Sequence, residues 1–93
     1  MELYAKSWSA VHSEWYLVDL QRNGQAVWET WMDHFTGNQR IKSWNTAHGD
    51  WQLQHMWWNR SANNVFELWT TGSIRILATE VGLQNKEHHH HAE

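Results

Sequence analysis

The amino-acid sequence predicts an all-β fold: a small antiparallel meander or barrel of about seven strands with an internal two-fold repeat. Three observations carry that expectation. The stretch Lys42-Ser43-Trp44-Asn45-Thr46-Ala47-His48-Gly49-Asp50-Trp51-Gln52-Leu53 echoes Lys6-Ser7-Trp8-Ser9-Ala10-Val11-His12-Ser13-Glu14-Trp15-Tyr16-Leu17, thirty-six positions earlier. Gly49 stands where the first copy has Ser13, and His48-Gly49-Asp50 is a turn signal that would break a continuous helix. Asn23-Gly24 separates two apolar runs, 16–20 and 26–31, which is the strongest short-range hairpin signal.

Taken in order, residues 1–22 are the most ambiguous. Tyr4, Trp8, Val11, Trp15 and Val18 fall at alternating spacings of four and three, the stripe of an amphipathic helix. If both copies share one fold, Gly49 makes His12-Ser13-Glu14 a turn, and the stripe divides into elements near 2–11 and 15–22. A two-residue loop at Asn23-Gly24 then sets Leu20 opposite Val27, Val18 opposite Glu29 and Tyr16 opposite Trp31, with Trp15–Met32 and Leu17–Thr30 on the other side. A turn at Gly37-Asn38 sets Asp33 opposite Lys42 and Trp31 opposite Trp44.

Beyond a polar loop at 59–64 the echo resumes. Val65-Phe66-Glu67-Leu68-Trp69 matches Val27-Trp28-Glu29-Thr30-Trp31 at an offset of 38, so two extra residues fall within that loop. Residues 74–81 read as a closing strand that begins a truncated third copy. The expected organisation is a single duplicated domain over 1–82, with copies at about 4–39 and 40–76 and a polar tail at 83–93. The four histidines His88 to His91 read as a tag remnant and are set aside from function. An all-α bundle or an α+β fold is the alternative, because Val27, Trp28, Trp31, Met32 and Phe35 also form a helical stripe.

Ninety-three residues suffice for one modest core. Nine Trp is several times the usual share, and a chain this small leaves some of them at the surface, where aromatic patches mark binding sites. The net charge of −3 and the scattered Lys and Arg argue against a nucleic-acid partner. No apolar run has membrane-spanning length, so no membrane partner is expected. The chain has no Cys, and its compartment stays open. It also has no Pro, which fits an engineered or atypical chain.

The candidate ligand-binding residues are the repeated turns His12, Glu14, Trp15 and His48, Asp50, Trp51. A sugar ring wants an aromatic face for its C–H side, with a carboxylate and hydrogen-bonding groups for its hydroxyls. The plainer alternative is that His and the acid satisfy backbone groups at a tight turn while the Trp anchors the core. A metal is not expected, since each turn supplies only two ligands. A second grouping places Tyr16, Trp31 and Trp44 on one face with Glu29, Asp33, Lys42 and His55, which would suit a polar aromatic ligand.

The spacing Trp8 to Trp15, followed by Tyr16 and Asn23-Gly24, resembles the choline-binding repeats of bacterial cell-wall proteins. The likeness covers residues 8–24 and the Trp spacing of 44–51, without that family's Gly-Trp pair or its shorter period. It implies aromatic pockets for a quaternary ammonium group. No phosphate loop, nucleophile elbow or His-Glu-x-x-His is present, and neither an enzyme nor a cofactor is expected. The sequence therefore points to a non-enzymatic, Trp-rich, lectin-like binding module with two similar sites for a glycan. Its alternatives are a structural or engineered scaffold that self-associates as a homo-oligomer, and a small barrel holding an aromatic or hydrophobic ligand.

Overall fold

The computed structural model describes residues 1–72, so the anticipated strand at 74–81 and the tail at 83–93 lie outside the described residues. The described chain is all-β. Its strands are β1 (Leu3–Ser9), β2 (Val11–His12), β3 (Trp15–Asn23), β4 (Ala26–Asp33), β5 (Gln39–Asn45), β6 (Ala47–His48), β7 (Trp51–Asn59) and β8 (Asn64–Thr70). They form two four-stranded antiparallel sheets, ordered β1-β8-β7-β6 and β2-β3-β4-β5.

By the thirty-six-residue offset, β5 is the counterpart of β1. Yet β1 pairs with β8 and β5 with β4. Each copy thus lends its first strand to the sheet of the other. The described residues hold eight strands, four per copy, whereas the expected seven counted three per copy and a closing strand at 74–81. The difference arises because the first element of each copy breaks into two pieces. Those pieces lie in different sheets, so the result is two sheets joined at corners rather than a closed barrel.

The corners are Ala10 and Thr46, both buried. Ala10 N–H donates to Asn63 O at 2.7 Å, in the turn that enters β8, while its carbonyl accepts from Leu17 N at 2.8 Å, in β3. Thr46 repeats the pattern, with its N–H to Gln25 O and its carbonyl accepting from Leu53 N, both at 2.8 Å. One backbone unit therefore joins two ladders, and a small side chain keeps the corner tight. The bend is held locally by the Ser9 hydroxyl, which accepts from Val11 N–H, and by Asn45 Oδ1, which accepts from Ala47 N–H.

The turn inferred from Gly49 is present in both copies. Gly49 has φ +58° and Ser13 has φ +54°, so a non-glycine residue takes the left-handed conformation that its counterpart takes freely.

The strand registers differ from those expected. The β3–β4 loop is Gly24-Gln25, with Asn23 paired to Ala26, so Leu20 faces Glu29 rather than Val27. Glycine with φ +62° at the first central position suits a type II′ loop, which moves the turn one residue past Asn23-Gly24. A bulge at Val18 then shifts the ladder again, pairing Leu17 with Trp31 and Tyr16 with Met32. The equivalent bulge sits at Gln54. Between β4 and β5, Trp31 faces Arg40 and Val27 faces Trp44, because the connection is longer than Gly37-Asn38 alone. Asp33 Oδ1 organises it by accepting from Phe35 N at 2.8 Å and Thr36 N at 3.1 Å.

The bulges put Leu17 and Leu53 on the inner face. Two apolar clusters result: Ala10, Leu17 and Val65, and Val27, Leu53 and Trp69, with Leu20 and Met56 packed against both. Val27 and Val65 are fully buried at equivalent positions, so each half contributes the same floor to a shared core.

An added Cβ at Gly49 meets nothing within 4 Å, so only the backbone resists substitution there. We expect Gly49→Ala to lower stability by about 1 kcal/mol in chemical denaturation, the left-handed penalty for an L-residue.

Candidate functional site

Two buried glutamates organise the interior. Glu29 on β4 and Glu67 on β8 are each 4% exposed. Burying a carboxylate is tolerated only where hydrogen bonds replace its water. Glu29 accepts from the indole N–H of Trp31 at 2.8 Å and from that of Trp44 on its other oxygen. Glu67 accepts from Trp69 at 2.7 Å and from Trp8 on its other oxygen. Each glutamate takes one indole two residues along its own strand. The other indole comes from the strand lent by the opposite copy.

Ring contacts complete the arrangement. Trp8 lies against Trp31 at 6.3 Å between centroids, and Trp44 stacks on Trp69 at 6.2 Å. These contacts cross between the sheets. Four indoles and two carboxylates therefore form a closed circuit in which hydrogen bonds within a sheet alternate with ring contacts across sheets. His12 lies 5.8 Å from Trp31, and His48 lies 6.2 Å from Trp69.

This circuit walls a cleft of about 820 Å³ that also touches Lys6, Ser7, Trp15, Arg40, Ile41 and Lys42. Lys6 stands directly across from Glu67 in the ladder, and Lys42 across from Glu29. The carboxylate oxygens are taken by the indoles, leaving the exposed ammonium groups at the cleft rim. The Arg40 guanidinium lies over the Trp15 ring at 4.8 Å. In the other copy Tyr4 takes that position, edge-on to Trp51 at 6.1 Å.

Of the candidate turn residues, His12, His48 and Trp15 line the cleft. Glu14 does not: it borders a separate hollow of about 540 Å³ with Val11, Ser13, Trp15, Tyr16, His34, Phe35 and Asn63. The Ser13 hydroxyl donates to Glu14 and, with a backbone hydrogen bond, holds its carboxyl below the ordinary range. Asp50 is exposed at its turn, and Trp51 packs against the second apolar cluster. The second grouping is divided. Trp31, Trp44 and Glu29 share the cleft with Lys42, whereas Tyr16 turns outward beside Met32 and bonds its sulfur at 3.3 Å. Asp33 caps its loop, and His55 pairs with Leu68 on the outer side of β8.

The second grouping holds Glu29 and Lys42, but their counterparts Glu67 and Lys6, with Trp8 and Trp69, are in neither candidate set. A signal for them existed. Glu-x-Trp occurs in both copies at the matched positions 29–31 and 67–69, and Lys-x-Trp at 6–8 and 42–44. On a strand, a spacing of two places both side chains on one face.

Among the described residues, no group of three or more His, Asp or Glu side chains is arranged to hold a metal ion. The chain matches no protein-family model, no curated protein and no solved structure with which it was compared.

Two measurements test this geometry. Trp58 Nε1 is buried with no hydrogen-bond partner among the described residues, whereas Trp44 Nε1 serves Glu29. Trp44→Phe should therefore destabilise by about 1–2 kcal/mol more than Trp58→Phe in parallel urea denaturations. Ser13→Gly, which copies the second turn, should raise the Glu14 titration toward the ordinary carboxylate range, followed by carboxyl-carbon NMR.

Proposed function

We propose that the protein is a non-enzymatic binding module whose ligand is a saccharide held in the cleft between the two sheets. The observation that carries this reading is the wall of four indoles, fixed in orientation by Glu29 and Glu67 around an open space of about 820 Å³. That volume lies within the usual range for ligand sites. Sugar rings stack their C–H faces on indoles, and their hydroxyls need donors and acceptors at the rim. His12, His48 and the lysines offer those groups. Because the rings are held before any ligand arrives, little ordering is left to oppose binding.

In this reading the two copies do not make two separate sites at their turns. They supply matched halves of one cleft, with His12 and His48 at corresponding positions and Trp15 beside Arg40 at one end. A second reading, self-association, is favoured by the outer faces. Trp28 is 46% exposed and Phe66, its counterpart, is 39% exposed. Concentration-dependent elution on size-exclusion chromatography would support it.

The saccharide reading is tested by calorimetry and Trp fluorescence against a panel of oligosaccharides. We expect saturable heat and an emission change for some members. Trp15→Ala should reduce affinity on the order of tenfold with the fold intact, in line with loss of one aromatic anchor. Absence of heat across the panel would overturn it.

A further inference from the structure

The rim of the cleft carries an imbalance of available charge. Its two carboxylates, Glu29 and Glu67, are buried and accept indole N–H bonds on both oxygens. Its cations, Lys6, Lys42 and Arg40, are exposed. A ligand entering the cleft therefore meets three exposed cations first, while the two carboxylates lie buried with each oxygen already bonded to an indole; their charges offset two of the three cations, so the cleft keeps one formal positive charge in excess, carried at its exposed rim. This occurs on a chain whose formal net charge is −3, so the positive character belongs to the cleft and not to the protein as a whole.

We infer that the cleft selects acidic saccharides, those carrying carboxylate or sulfate groups, over neutral ones. The inference rests on the saccharide reading above and names the substrate class for the same site. Lys6 and Lys42 are counterparts in the two copies and stand on the edge strands β1 and β5, the first strand of each copy. Each can meet an anionic group while an indole meets the sugar face. Arg40 adds a planar donor fork at the Trp15 end, where its stacking on the ring already orients it. Trp8 and Trp44 lie two residues from Lys6 and Lys42 on the same strand faces, so apolar and cationic surface alternate along the cleft.

The test compares a galacturonic acid hexamer with a neutral glucose hexamer by calorimetry, at low and at high salt. We expect the acidic hexamer to bind at least about tenfold tighter at low salt, with the advantage shrinking as salt screens the rim. The double variant Lys6→Gln/Lys42→Gln, shown to be folded by its circular dichroism and melting, should lose most of that preference. Equal or tighter binding of the neutral hexamer overturns the acidic selectivity and leaves the saccharide reading standing. A preference untouched by the double variant overturns the assignment of that selectivity to Lys6 and Lys42. Binding of neither hexamer, nor of any sugar in the wider panel, overturns both.

Discussion

Buried carboxylates shared between indoles are the constraint on which the structure depends. Glu29 and Glu67 would be strongly destabilising inside a small β-protein without partners. Indole N–H groups can only donate, so two of them per glutamate satisfy both oxygens and leave each ring pinned at its edge. One ring of each pair lies on the host strand and the other on the lent strand. The same hydrogen bonds that satisfy the charge therefore fasten the exchanged strand to its host sheet. They also bring Trp8 and Trp44 to the positions where they meet Trp31 and Trp69 across the sheets. Ladder, charge and inter-sheet packing depend on one repeated contact.

The duplicated halves are not identical, and their difference falls at the cleft. Where one copy sets Arg40 over Trp15, the other sets Tyr4 against Trp51. Trp15 and Arg40 line the cleft whereas Tyr4 and Trp51 do not, so a symmetric frame carries a cleft with unlike ends. A ligand with unlike ends has a preferred direction in such a cleft, even though its walls repeat.

Much of the architecture was legible in the sequence because it followed from backbone chemistry. Gly49 marked a left-handed turn, and the repeat carried that turn to Ser13, whose φ of +54° shows the inference to be sound. The two-residue insertion in the 59–64 loop also followed from comparing the copies. Register was not legible, since it depends on features without a clear sequence mark. The bulges at Val18 and Gln54 reverse the faces of the residues before them, and the Asp33 carboxylate lengthens a loop that Gly37-Asn38 alone would have closed. The cleft was legible only in part. Glu29 could be grouped with Trp31 and Trp44 from strand alternation within one copy, whereas Glu67 and Trp8 meet only because β1 is lent to the other sheet, which no local pattern marks.

The exchange of first strands gives two equivalent strands unequal routes to the folded state. Trp44 lies 15 residues from Glu29, the carboxylate it serves, and β5 reaches β4 through a short connection. Trp8 lies 59 residues from Glu67. On a ribosome, β5 can dock as soon as it emerges, while β1 must wait with its tryptophan unpartnered until nearly all the described chain has been made. Closing the longer loop carries the greater entropic cost and the slower search. A sequence repeat that makes the finished halves alike therefore makes their assembly sequential. The first of the described strands to be made is among the last to find its place, and the early chain must carry Trp8 unpartnered until then.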